Sequence, residues 1–215
     1  ATEQHTCATH DILIFVKLIV NISDKPDFAV STWDYEKYQR KRSVEDAVKM
    51  LELKGSDFIT ISDVDEIFKH EAVSELAAAG GRYSVHMPMF YYYLNLFVQD
   101  WFHPKATAVK YLTDPNSMRT GGEQNFQYVY NAGWHFSWLG NNEMVRNKVQ
   151  SFSHAESNRP ELIEQIDVEQ SLKNGTTWNR NAPERMSPVV LNDYFPKTIT
   201  NNVEKYLQWK LDEQT

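Results

Sequence analysis

One cysteine, Cys7, is all the chain has, so no internal disulfide is possible and a thiolate zinc site is excluded. Long apolar runs are missing too. The longest, from Ile12 to Val20, contains Lys17 and is far too short to cross a bilayer. Basic stretches are equally scarce: 22 Lys and Arg stand against 29 Asp and Glu, and no run exceeds Arg40-Lys41-Arg42. The resulting net charge of −7 argues against a nucleic-acid partner. An acidic protein still takes an anionic substrate when a metal ion mediates the contact. Neither an internal repeat nor a low-complexity segment is present. No signal-peptide pattern is visible, and the start at Ala1 rather than Met leads to the expectation that an upstream segment has been removed.

Aromatic residues, by contrast, are plentiful, with six Trp and eleven Tyr in 215 residues. Such side chains fill cores, and they also line sugar and ligand surfaces. The length suits one sizeable domain or a small two-lobed one.

Hydrophobic patterning sets out the elements. Residues 12–20 read as a buried strand rich in β-branched side chains. Over 35–53 the pattern turns helical, with Val44, Ala47, Val48 and Leu51 at i, i+3, i+4 and i+7 and Gly55 as the stop. A short strand over 58–62 precedes a small-residue helix over 72–79. An aromatic strand follows over 87–96, then a polar loop around Asp114-Pro115, then paired strands within 126–138 broken near Asn131-Ala132-Gly133. Helices are expected over 141–150, 160–173 and 200–212. Strands alternating with helices imply an α/β sheet with mixed pairing.

The strand over 58–62 runs into Ile61-Ser62-Asp63-Val64-Asp65-Glu66-Ile67, which puts three carboxylates in four residues. Like charges this close repel unless something positive lies between them. In α/β sheets ligands gather at the carboxyl ends of strands. In an extended backbone Asp63 and Asp65 point the same way, with Val64 turned back to the core. Two carboxylates so placed suit Mg²⁺ or Mn²⁺, which take oxygen ligands and keep positions open for phosphate. The other reading is a helix N-terminus, where acidic groups favour the dipole and Asp65 acts as a cap.

Strand alternation in Trp134-His135-Phe136-Ser137-Trp138 puts three aromatics on one face, read as core, and His135 with Ser137 on the other. His135 is then either a structural histidine or a site residue. Over 89–96, Phe90, Tyr92, Leu94 and Leu96 face the core, while Tyr91, Tyr93 and Asn95 face a cleft, where rings stack on sugars and an amide bonds hydroxyls. The alternative is a strand buried on both sides. Trp101 reads as acceptor surface or as packing.

In order along the chain come Glu36 with Gln39-Arg40, ISDVDEI (61–67), YYYLN (91–95), NAGWHFSW (131–138), Lys148, SFSHAE (151–156), and Gly175 with Arg180. Taken together, from about residue 36 to 207, these segments resemble glycosyltransferase family 17, the family of bisecting β-1,4-mannosyl-glycoprotein N-acetylglucosaminyltransferases. The resemblance implies a GT-A fold, a mixed sheet flanked by helices. It also implies a UDP-sugar donor, UDP-GlcNAc in characterised members, inversion at the anomeric carbon, and a glycan or glycoprotein acceptor. Asp63 and Asp65 would hold Mn²⁺ or Mg²⁺ against the diphosphate, with His154 as third ligand. Gln39, Arg40, Lys148 and Arg180 would bind the donor. Glu156, His135 and Glu66 are the candidates for the proton-accepting group, with Glu123 in competition.

The family usually carries a strand–helix–strand unit ahead of this region. Here only 12–20 is a strong early strand, with Glu3 and His5-Thr6 as a remnant of a family segment. The expected division is a single domain with a partial nucleotide lobe at 1–34, a catalytic core at 35–198 and a C-terminal helix at 199–215. The rival expectations are a fragment or non-catalytic carbohydrate-binding relative, and a phosphoester hydrolase using the same carboxylates. The second needs a cage of further ligands, for which His5, His10, His70, His86 and His103 are too scattered. A microbial or viral member is expected in the cytoplasm, a truncated eukaryotic one in the Golgi lumen.

Overall fold

In the computed structural model the described residues are 31–120, 125–151, 157–178 and 184–211. The expected strand over 12–20, and with it the nucleotide lobe at 1–34 apart from its last residues, lies outside them. Among the described residues no helix is long and apolar enough to cross a membrane.

The chain folds as mixed α/β, with two mixed sheets flanked by helices, an arrangement compatible with a GT-A-like fold. Helix α1 (Thr32–Met50) starts where Ser31 and Asp34 cap each other's backbone N–H groups, a reciprocal box that satisfies two otherwise unpaired donors. Strand β1 (Phe58–Ile61) follows, then β2 (Glu66–Phe68) and α2 (His70–Ala79), which ends at Gly80 with φ 63°. Next come β3 (Arg82–Val85), β4 (Met87–Tyr92), β5 (Leu96–Trp101) and β6 (Lys105–Ala108). Helix α3 (Pro115–Thr120), β7 (Gln127–Val129), β8 (Gly133–Leu139) and α4 (Asn142–Ser151) complete the central part. Short helices α5 (Pro160–Ile163) and α6 (Val168–Asn174), strand β9 (Ser187–Pro188), helix α7 (Lys197–Thr200) and a 3₁₀ turn over Val203–Trp209 close it.

One sheet has the order β1-β6-β3-β7 and the other β2-β8-β4-β5-β9, so the single expected sheet is two. The acidic segment is the crossover, since β1 belongs to the first sheet and β2 to the second. In the second sheet β4 and β8 run parallel, and β2 pairs antiparallel with β8 in the register Glu66 to His135. Phe90, Leu94, Trp134, Phe136, Phe195 and Ile199 form one of the buried clusters around this sheet.

Several expected elements are corrected. The aromatic strand over 87–96 is a hairpin, because Tyr92 takes φ 61° and the chain turns through Tyr93–Asn95 before β5 pairs back on β4. Strands β7 and β8 do not pair with each other: β7 joins β3 and β8 joins β4. The helix expected over 160–173 is broken, because Asp167 caps a new helix by accepting from the Gln170 N–H at 3.0 Å. The C-terminal helix is the shorter pair α7 and the 3₁₀ turn. The polar loop after Asp114 contains α3, started by Asp114, which accepts from the Ser117 N–H at 2.8 Å.

Candidate functional site

Between β1 and β2 the chain makes a tight turn, with the Glu66 N–H donating to the Asp63 carbonyl at 3.1 Å. This turn overrides strand alternation. Val64 sits at its tip, fully exposed rather than turned back to the core. Asp63 and Glu66 share Arg119, whereas Asp65 meets Lys148 and His135.

Glu66 points inward and is 4% exposed. Arg119 grips it with both terminal nitrogens, Nη1 to Oε2 at 2.8 Å and Nη2 to Oε1 at 2.6 Å. The Trp101 indole N–H donates to Oε1 at 2.6 Å and the Asp63 N–H to Oε2 at 2.7 Å. Burial alone would raise the Glu66 pKa, but the hydrogen bonds and charge of Arg119 hold it below the ordinary glutamate value. A carboxylate with four donors and no access is a strut, so Glu66 is corrected from base candidate to anchor. Trp101 is likewise packing: it braces Glu66, stacks on His103 at 4.2 Å and tilts against His135 at 5.1 Å.

Asp63 is half exposed and ion-pairs with Arg119 through Oδ2, while Oδ1 lies 3.8 Å from Arg40. Arg40, on α1, also bonds Glu36 one turn earlier and donates to Asn116 Oδ1 at 3.1 Å, which ties α1 to α3. Gln39 is exposed on α1.

Asp65 turns the other way. Lys148 Nζ, from α4, donates to its Oδ2 at 2.7 Å, and His135 Nε2 lies 3.4 Å from Oδ1. Burial opposes ionisation of Asp65, yet the hydrogen bonds from His135 and Lys148 outweigh it and keep the carboxyl well below the usual aspartate range. The Phe136 N–H donating to the Asp65 carbonyl at 2.9 Å fixes the backbone. Lys148 also reaches Ser137 Oγ at 3.3 Å and lies 5.0 Å from the Trp138 ring centre. The alternation expected for 134–138 holds as far as Ser137, with Trp134 and Phe136 in one core cluster and His135 and Ser137 beside Asp65 and Lys148. At Trp138 the backbone takes φ 53° and the ring lies half-buried against Lys148 instead of joining that core face.

Tyr91 and Tyr93 are half-buried and pack against the cluster that contains Tyr92, whereas Phe90 belongs to a different cluster, so Phe90 and Tyr92 do not share the single core face expected. Burial raises the Tyr91 phenol, so it stays protonated. Asn95 is corrected: it is completely buried, with its amide donating to Val189 O at 3.2 Å and Leu211 O at 2.9 Å while accepting from Leu211 N at 2.8 Å. It pins the C-terminal segment. His154, Glu156, Arg180 and Glu123 lie outside the described residues.

Arg119 was not among the sequence candidates. Its signal is faint, a lone arginine two residues after Asn116-Ser117, but it is the cation that joins Asp63 to Glu66. Together the ion-paired carboxylates Glu36, Asp63, Asp65 and Glu66 outnumber Arg40, Arg119 and Lys148 by one. One added divalent cation would reverse that sign and favour a diphosphate. Asp63 and Asp65 offer the hard oxygen donors such an ion takes, so the donor chemistry suits it, although in this structure the two side chains diverge, Asp63 to Arg119 and Asp65 to Lys148. Among the described residues no group of three His, Cys, Asp or Glu is arranged to hold a metal.

A family model described as Glycosyltransferase family 17 matches residues 5–195. No curated protein and no solved structure matches the chain.

Proposed function

The chain belongs to glycosyltransferase family 17 and is a glycosyltransferase; from that premise we propose that it moves GlcNAc from UDP-GlcNAc to a glycan or glycoprotein acceptor, with inversion and with Mn²⁺ or Mg²⁺ bound. The observation that carries this reading is the pairing of the Asp63–Asp65 turn with Arg40, Arg119 and Lys148, which gathers carboxylates and cations where β1 crosses to β2.

Asp63 and Asp65 would hold the metal ion, and His154 is the expected third protein ligand. Bound there, the ion supplies Lewis-acid neutralisation of the charge developing on the leaving UDP. Lys148 and Arg40 reach the same edge and offer donors to phosphate oxygens. Gln39 and Arg180 remain expected donor contacts through the family resemblance. The acceptor oxygen attacks the anomeric carbon opposite the departing UDP. A new carbon–oxygen bond forms as the bond to phosphate oxygen breaks, the electron pair leaves with UDP, and the acceptor proton passes to a base. Glu66 is spent on Arg119, so we assign that base to Glu156. His135, 6% exposed and held near Asp65, positions that carboxylate.

Product analysis tests the reaction class. Incubation with UDP-GlcNAc, Mn²⁺ and a mannose-containing glycan is expected to give UDP and a glycan heavier by one GlcNAc. Release of sugar phosphate or inorganic phosphate would contradict transfer.

A further inference from the structure

At the carboxyl ends of the parallel strands β4 and β8, away from the acidic turn, lies an open cavity of about 600 Å³. Its walls come from four parts of the chain. Tyr93 stands on the β4–β5 turn, Asn141 and Glu143 at the start of α4, Glu169 on α6, and Gln208 and Trp209 on the C-terminal 3₁₀ turn. The volume is within the range of ligand pockets. Two independent features set it apart from an ordinary surface hollow.

The first is the lining chemistry. Tyr93 and Trp209 are half-buried rings, whereas Asn141, Glu143, Glu169 and Gln208 are exposed. Rings beside carboxylate and amide groups match a sugar, whose C–H face stacks on an aromatic while its hydroxyls bond to polar groups. Arg146 also borders the cavity, but its guanidinium donates to the carbonyls of Ile163 at 3.3 Å and Ile166 at 2.8 Å. Two carboxylates against that one committed cation leave the pocket acidic. An acidic wall repels a nucleoside diphosphate and tolerates a neutral saccharide.

The second is the backbone. Tyr92 has φ 61° and Trp138 φ 53°, at a point where the β4–β8 register shifts. Bulky residues at positive φ are outliers that the surroundings must hold in place, and such strain gathers at working sites. Tyr92 lines the cavity, and Trp138 lies under Lys148. Helix α4 links the two places directly. Asn142 borders the cavity and Lys148 holds Asp65, about 9 Å further along the helix axis at about 1.5 Å per residue. A short oligosaccharide spans that interval.

We propose that this cavity is an acceptor subsite that binds a neutral sugar unit of the acceptor glycan, flanking the unit that receives the transferred sugar. The assignment rests on the glycosyltransferase reading above and deepens it. It divides the surface by charge: the metal-bearing turn with its cations takes the diphosphate, and the acidic aromatic pocket takes the uncharged glycan. Tyr93 and Trp209 line the cavity from separate segments, so each offers a ring to a pyranose. Asn95, which ties Leu211 to the β4–β5 turn, holds the two segments together.

The test is a pair of titrations on the whole 215-residue chain, with Mn²⁺ present. Mannotriose and chitotriose are titrated by ligand-observed saturation-transfer NMR, and UDP by calorimetry. The variants are Tyr93→Ala and the double substitution Glu143→Gln with Glu169→Gln, the latter exposed and conservative so that it folds. At least one trisaccharide is expected to bind the wild-type chain. Both variants should weaken it at least tenfold while UDP affinity stays within twofold. Equal saccharide binding by the double variant and the wild type would overturn the proposal. So would a wild-type chain that binds UDP but neither trisaccharide, or that binds a lysine-rich peptide at the pocket in their place. Saccharide binding without UDP binding would contradict the donor reading and with it the subsite's role in transfer.

Discussion

Lys148 donates to Asp65 at 2.7 Å across 83 residues of sequence, and this contact joins α4 to the acidic turn. It settles what lies between the crowded carboxylates among the described residues: protein cations, with Arg119 on one side and Lys148 on the other. If a metal ion and diphosphate bind at the turn as proposed, the same ammonium would offer a donor to phosphate oxygens. Lys148→Met is therefore expected to weaken UDP-GlcNAc binding about tenfold, equivalent to about 1.4 kcal/mol, and to cost about 1–3 kcal/mol of stability because the largely buried Asp65 carboxylate loses a charged hydrogen-bond donor. Calorimetry and a thermal melt on the same variant check both halves.

Arg119 weighs more heavily on stability. Its side chain is 5% exposed and that of Glu66 is fully buried, so Arg119→Met leaves an unpaired charge inside. A loss of about 3–5 kcal/mol follows, read by urea denaturation. Adding Glu66→Gln to that variant should recover part of the loss, because the stranded carboxylate is gone. No recovery would show that the pair does not act through charge.

Acid lowers stability through the same groups. Asp65 and Glu66 have folded pKa values below their ordinary 3.8 and 4.5. The unfolded chain thus binds protons first, so their contribution is complete above about pH 5 and is lost as pH falls through the lower folded values. Urea midpoints between pH 6 and pH 3 should fall, and Asp65→Asn should flatten the fall.

Base acts in the reverse sense at Lys105. Burial and the nearby Arg119 push it down to about 8 from 10.5 while Glu66 opposes them, and its ammonium donates to the carbonyls of Phe102 at 2.6 Å and His103 at 3.0 Å. The folded state releases its proton before the unfolded state does. Its contribution to stability should rise between about pH 8 and 10.5, and Lys105→Met should remove that rise from the pH series.

Gly133 controls how closely β2 approaches β8. A Cβ there would lie 2.4 Å from the Ile67 carbonyl oxygen and 2.6 Å from Met87 Cε. Gly133→Ala is expected to cost about 1–3 kcal/mol by overpacking. Since β2 carries Glu66 opposite His135, faster amide hydrogen exchange over residues 63–68 should accompany it.

Part of the helical pattern was legible: α1, α2 and α4 lie within a few residues of where the apolar spacing put them. Phe90, Trp134 and Phe136 share one buried cluster, as alternation required, but Met89, His135 and Ser137 beside them are buried as well and Tyr92 joins a different cluster. Alternation failed wherever a turn interrupted a strand. Val64 is exposed at the tip between β1 and β2, and Asn95 is buried because the hairpin turn carries it onto the C-terminal segment. Arg119 was illegible for a different reason. Its role depends on α3 meeting the acidic turn, with Glu66 53 residues away, and no local pattern encodes that meeting. The two-sheet topology is of the same kind, since β7 and β8 adjoin in sequence but pair with different partners.

The most direct measurement is calorimetric titration of UDP-GlcNAc into the protein with Mn²⁺ and with EDTA, beside Asp65→Asn. The account predicts binding with Mn²⁺ that is lost with EDTA and lost in the variant. Folded protein that fails to bind with Mn²⁺ present, or binding indifferent to both metal and substitution, would contradict it.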